Sequence, residues 1–191
     1  HDIIANINKY SNNVMAQQLL LTLALQRPDA TPATRATPEA GRAALRQWLA
    51  ERLGEAPESL QGVVIVNGSG LSRETRLSAA LLARVLQAGW ASPVMPELMA
   101  SLPVNGLDGT LRKANSSAGM AHLKTGSLRD VAGVAGYVLG ASGKRYVLVA
   151  IVNHPNANAA KPALDALVQW TIDDGPPRMK RPADPGRESA R

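Results

Sequence analysis

The sequence predicts an α+β fold in which a mainly antiparallel sheet is flanked by helices. Three observations carry this. The last third holds three β-rich runs joined by short turns. The part before it holds helical patterns with recognisable caps. No regular alternation of strand and helix, the mark of a parallel sheet, runs along the chain.

Composition is consistent with this. The chain has 191 residues, 45% hydrophobic and 19% charged, which suits one globular domain with its own core. Cysteine is absent, which excludes a disulfide framework, a thiolate zinc site and a cysteine nucleophile. The histidines are His1, His122 and His154, too widely spaced to suggest a metal cluster, so no metal or other cofactor is expected. The net charge is +6 and the pI about 10.1. The basic residues are scattered, no Lys/Arg run exceeds two, and there are six aromatics without phenylalanine. That pattern argues against nucleic acid as a partner. An acidic polymer would suit the charge. The longest apolar stretch, Val14 to Leu25, is broken by Gln17, Gln18 and Thr22 and falls short of the roughly 20 residues of a membrane span. No signal peptide is visible. The chain opens at His1 in a helical pattern, so it is expected to be a piece of something longer.

The elements follow in order. Ile3, Ile4 and Ile7 share one helical face. Ser11-Asn12-Asn13 favours a cap or turn. Val14 to Leu25 is apolar on nearly all sides, as in a buried helix. Arg27 to Pro38, with three prolines, reads as a surface loop. A helix then starts with Thr37 as N-cap and Pro38 at its first position, and ends at Gly54. Val63 to Val66 reads as a short buried strand or extended run, and Asn67 to Gly70 as a tight turn. Helices are expected from Ser78 to Ala88, closed by Gly89, and from Pro93 to Ser101. Strands follow at Ala121 to Gly126, Val131 to Leu139 and Arg145 to Val152, with a hairpin turn at Gly140 to Gly143. Ala157 to Ile172 closes the fold as a helix. Residues 1–172 thus form the domain. From Asp173, four prolines and nine charged residues predict a disordered tail, 173–191.

Three motifs could carry chemistry. Ser11-Asn12-Asn13 is a Ser-x-Asn at a helix junction; read alone, it is a cap. Lys124-Thr125-Gly126-Ser127 offers a cation for a carboxylate, two hydroxyl donors, and a glycine that lets a ligand approach the backbone. Asn67-Gly68-Ser69-Gly70-Leu71-Ser72 lacks the third glycine of a dinucleotide loop, since Arg73 stands there, and is read as a turn.

In this order the motifs say more. Ser-x-Asn followed by Lys-Thr-Gly is the pair found in β-lactamases and penicillin-binding proteins. Around it stand Asn8-Lys9-Tyr10-Ser11-Asn12-Asn13-Val14-Met15-Ala16, Asn67 to Arg73, Asp108-Gly109-Thr110-Leu111, His122 to Leu128, and Ala135-Gly136-Tyr137-Val138. Together they resemble the D-alanyl-D-alanine carboxypeptidase/endopeptidase family, class C penicillin-binding proteins of the penicillin-binding protein 4 type, over residues 2 to 172. The resemblance implies the penicillin-binding transpeptidase/β-lactamase-like fold, incomplete in this chain. It implies a periplasmic or secreted serine-type peptidase acting on peptidoglycan stem peptides ending in D-Ala-D-Ala, through an acyl-serine intermediate, with β-lactams as inhibitors. Ser11 would pass a proton to the departing amine, and Asn13 would bond the substrate amide. Lys124 would place positive charge beside Ser11 and the substrate carboxylate. Thr125 would bind that carboxylate, and the Ser127 N–H would supply half the oxyanion hole.

Three departures from the family pattern matter. Asn67 replaces the usual Asp of the glycine turn, and a turn tolerates either. Ser127 replaces the usual Thr, and its backbone donor survives. Most consequential, no serine in the chain is followed three positions later by lysine, so the Ser-x-x-Lys nucleophile motif is missing. It is expected upstream of His1. The chain therefore reads as a C-terminal part, inactive alone, lacking the sheet's first strands and the family's inserted domains. An uncovered sheet edge then predicts self-association. The alternative is a non-catalytic module that binds peptidoglycan through Lys124 and Thr125.

Overall fold

The computed structural model describes residues 2–26, 30–31, 35–54 and 60–175. Among them are six α-helices: α1 (Asp2–Tyr10), α2 (Asn13–Ala24), α3 (Pro38–Leu53), α4 (Ala79–Trp90), α5 (Met95–Ser101) and α6 (Lys161–Ile172). Three strands, β1 (Ala121–Leu128), β2 (Val131–Leu139) and β3 (Arg145–Asn153), form one antiparallel sheet in the order β1-β2-β3. The α+β reading, an antiparallel sheet flanked by helices, holds.

The caps form as the residue types dictate. Thr37 Oγ1 accepts from the Ala40 N–H, and Gly54 takes the left-handed conformation that ends α3. Ser78 caps α4 in the same way, accepting from the Leu81 N–H. The sheet alternates as a two-sided layer should. Ala121, Leu123, Val134, Val138 and Leu148 form one core cluster with Val168 and Ile172 of α6. Tyr137 points to the other face, where its hydroxyl donates to Leu86 O of α4 at 2.6 Å and its ring meets Trp90. Burial raises its pKa. A second cluster joins Leu49 of α3, Leu60 and Val63.

Several expectations need correction. Gly89 does not close α4, which runs on to Trp90. A Cβ on Gly89 would lie 2.7 Å from Leu98 Cδ2 and 3.2 Å from the Tyr137 hydroxyl, so this glycine is a packing notch. Strand β1 does not stop at Gly126 but reaches Leu128, because backbone pairing of Gly126 with Gly133 needs no side chains. The chain turns instead at Asp130, whose φ is +69°. The run at Val63 to Val66 is extended with a single bridge, Val64 to Arg76, and of its residues only Val63 is fully buried. Residues 157–160 form a 3-10 turn ahead of α6. Helix α2 is not buried all round. Leu20 and Ala24 are buried, Leu20 against Gly41 of α3, while Val14 is 68% exposed. Ile3 and Ile4, expected on an apolar face, are also exposed.

The first three residues of the expected tail are held in place. Asp174 accepts from the Tyr146 hydroxyl at 2.7 Å and from Ser142 N at 2.6 Å, tying the β2–β3 hairpin to the end of α6. The rest of that tail, 176–191, and residues 27–29 and 32–34 of the expected loop lie outside the described residues.

Candidate active site

The three residues of the Ser-x-Asn motif divide their work. Asn12 is the cap of α2: its Oδ1 accepts from the Met15 N–H at 3.1 Å. Its own N–H bonds Ile7 O at 3.2 Å and closes the end of α1. Ser11 sits between the helices with φ +53°, a left-handed conformation uncommon outside glycine. Asn13 is the first residue of α2, and its side chain bonds none of the described residues. The middle residue therefore satisfies the helix, and the outer two are left for other uses.

Strand β1 brings the second motif to the same place. Lys124 Nζ donates to Ser11 Oγ and to Thr125 O, the latter at 3.1 Å. Half-burial of its ammonium lowers the Lys124 pKa through loss of solvation. The Thr125 hydroxyl is 3.3 Å from that of Thr110, which lies in the 3-10 turn Gly109–Leu111. Gly126 is exposed, and a Cβ there would meet nothing within 4 Å, so the strand is open to close approach. The Ser127 hydroxyl donates to Asn158 Oδ1 at 3.1 Å.

The glycine turn behaves as a turn. Asn67 Oδ1 accepts from both the N–H and the hydroxyl of Ser69, each at 3.1 Å, as an aspartate oxygen would. Arg73 pairs with Asp130 at 3.2 Å, joining this turn to the β1–β2 hairpin. Thr110 and Asn158 received no role from the sequence. Thr110 lies in the Asp108-Gly109-Thr110-Leu111 segment. No local pattern marks Asn158, because it reaches Ser127 only through the fold.

A cation, a hydroxyl in a strained turn and an open strand edge thus converge from segments more than a hundred residues apart. The sequence pattern of the D-Ala-D-Ala carboxypeptidase 3 (S13) family matches residues 1–173. The chain belongs to that family. Carboxypeptidase DacB of Mycolicibacterium smegmatis is 34% identical over 115 residues, covering 56% of this chain and 25% of the relative. A D-alanyl-D-alanine carboxypeptidase of an Actinomadura species is 28% identical over 167 residues, covering 83% of this chain and 29% of the relative. The chain therefore spans well under half the length of these relatives. Among solved structures, penicillin binding protein 4 of Haemophilus influenzae in complex with a β-lactam superposes with a TM-score of 0.73 at 21% identity, over 91% of this chain and 40% of that one. A penicillin G-acylated predatory endopeptidase from Bdellovibrio bacteriovorus superposes with a TM-score of 0.69 at 20% identity, over 91% and 45%. The fold of this S13 chain is thus that of part of a penicillin-binding protein.

Proposed function

We propose that this chain supplies the Ser-x-Asn and Lys-Thr-Gly half of a serine-type D-Ala-D-Ala carboxypeptidase or endopeptidase site, working on peptidoglycan peptides outside the cytoplasm. The observation that carries the reading is the contact of Lys124 Nζ with Ser11 Oγ across 113 residues of sequence. Because Ser11 Oγ accepts from Lys124, its own proton is free to point toward a departing amine. A proton given up there is replaced from Lys124, whose lowered pKa eases the transfer. The Lys124 charge and the Thr125 hydroxyl suit the terminal carboxylate of a D-Ala-D-Ala peptide. The Asn13 amide suits the substrate's peptide group, and the Ser127 N–H a developing oxyanion. The acyl-accepting serine comes from a Ser-x-x-Lys motif outside these residues, since none occurs within them.

The test is intact mass after incubation with a labelled penicillin, with circular dichroism as the check on folding. The expected result is no covalent adduct on this chain alone. An adduct would place a working nucleophile within these residues, with Ser11 the first to be examined, and would overturn the divided site.

The sheet makes a second expectation. Among the described strands none pairs with the outer edge of β3, and Ile3 and Val14 are 60% and 68% exposed. Sedimentation should show concentration-dependent association. A single monomer species at all concentrations would sink that expectation.

A further inference from the structure

We infer that Lys9 and Asp108 are positioning residues that hold Ser11 against Lys124. The problem they solve is visible in α1. That helix buries no residue fully: Ile3 and Ile4 at its start are exposed and Ile7 near its end is only half-buried, so apolar packing alone holds its end weakly. Yet Ser11, one residue past it, stands at φ +53°, a conformation that persists only where the surroundings enforce it.

Polar contacts do the fixing. Lys9 Nζ forms an ion pair with Asp108 Oδ2 and donates to Leu102 O at 3.0 Å. Asp108 Oδ1 accepts from the Val104 N–H at 2.7 Å. One residue earlier, Asn8 Nδ2 donates to Ser101 Oγ at 2.7 Å. Gly109 lies so close that a Cβ on it would be 2.7 Å from Lys9 O. Solvation loss raises the Asp108 pKa, but the bonds from Lys9 and Val104 outweigh it and leave it lowered. The Lys9 side chain is 19% exposed and Asp108 41%, so water screens the pair only in part. Ser11 lies two residues after Lys9. Thr110 lies two residues after Asp108 and bonds Thr125. One ion pair therefore sets both walls of the site at once. Its catalytic meaning rests on the function proposed above; the positioning itself does not.

The test is Asp108→Asn in the whole chain, read by NMR. Asparagine keeps an acceptor for Val104 and removes the charge that holds Lys9. Two signals are followed: the Ser11 HN–Hα coupling and carbon shifts, which report φ, and the alkaline titration of the Lys124 ε-carbon. Carboxylates and imidazoles have ordinarily finished titrating in that range. If Asp108 positions the site, Ser11 leaves its left-handed conformation. Lys124 then gains water and its midpoint moves up. If Asp108 acts only through its charge, losing a negative neighbour moves the midpoint down. A fall, or an unmoved Ser11, overturns the inference. Should Asp108→Asn fail to fold, Lys9→Gln breaks the same pair from its other side; the Ser11 coupling is then the deciding signal, and an unmoved Ser11 overturns the inference. A parallel titration of the wild-type chain with an N-acyl-D-Ala-D-Ala peptide separates the two readings. No shift at Lys124 and Thr125 would overturn the substrate assignment and leave the positioning result standing.

Discussion

Replacing Lys124 with methionine is expected to weaken binding of an N-acyl-D-Ala-D-Ala peptide while leaving the melting temperature unchanged or higher. The two effects have separate causes. A charge-assisted hydrogen bond to a carboxylate is worth about 2 kcal/mol or more, so affinity should fall roughly 30-fold or further. The stability effect runs the other way, because burial lowers the Lys124 pKa. Between that lowered value and the ordinary 10.5, the unfolded chain binds more protons than the folded one. Stability therefore rises with pH across that window, and the buried charge costs stability below it. Methionine keeps the apolar stem and removes the cost. Calorimetry with the peptide and thermal melts at neutral and alkaline pH check both halves. The variant should also lose the wild type's alkaline rise in stability. Unchanged affinity would detach Lys124 from substrate; a lower melting temperature would show that the lysine supports the fold.

Much of this architecture was legible because it rests on local chemistry. Thr37 and Pro38 announce a helix start, and Val, Tyr and Ile between glycine turns announce a hairpin. What could not be read locally is where two distant segments compete for one residue. Gly89 resembles a helix stop, yet it is set by Leu98 and Tyr137. Gly126 resembles a strand end, yet Gly133 pairs with it. The apolar α2 reads as fully buried, but burial depends on what packs against it, and here only its Leu20 and Ala24 side is covered. The candidate site shows the same division. Ser11, Lys124 and Thr125 are named by short motifs, and the fold brings them together. Lys9 and Asp108 lie inside quoted motifs, but their pairing spans 99 residues and is invisible to any local rule.

Asn105 carries no local signal in the sequence, yet its replacement by leucine is expected to be the most damaging single change to the fold. A polar residue in a loop ordinarily reads as solvent-facing, but this one is 0% exposed. Its Nδ2 donates to Ser116 Oγ at 3.0 Å and to Ser117 O at 2.5 Å, and its Oδ1 accepts from the Ala121 N–H at 2.7 Å. Leucine has similar bulk but would leave the buried Ala121 N–H without a partner and cut the loop's ties to Ser116 and Ser117. An orphaned buried group costs about 1–3 kcal/mol, so a total near 3 kcal/mol is expected, or roughly 10 °C in melting temperature for a domain of this size. The effect should reach the site. Ala121 begins β1 three residues before Lys124, and Asn105 stands three residues before Asp108. A second variant, Asn105→Asp, sharpens the argument. The new carboxylate keeps an acceptor for Ala121 but is set against the Ser117 carbonyl, which raises its pKa in the folded state. A group with a raised folded pKa contributes stability at low pH and loses it as pH rises through that value. Asn105→Asp should therefore melt close to wild type in acid and well below it at neutral pH, while Asn105→Leu is low at both. If Asn105→Leu melts within a degree or two of wild type, the three bonds contribute little, and what orders the start of β1 must be sought in the apolar contacts of Ala121 and Leu123 instead.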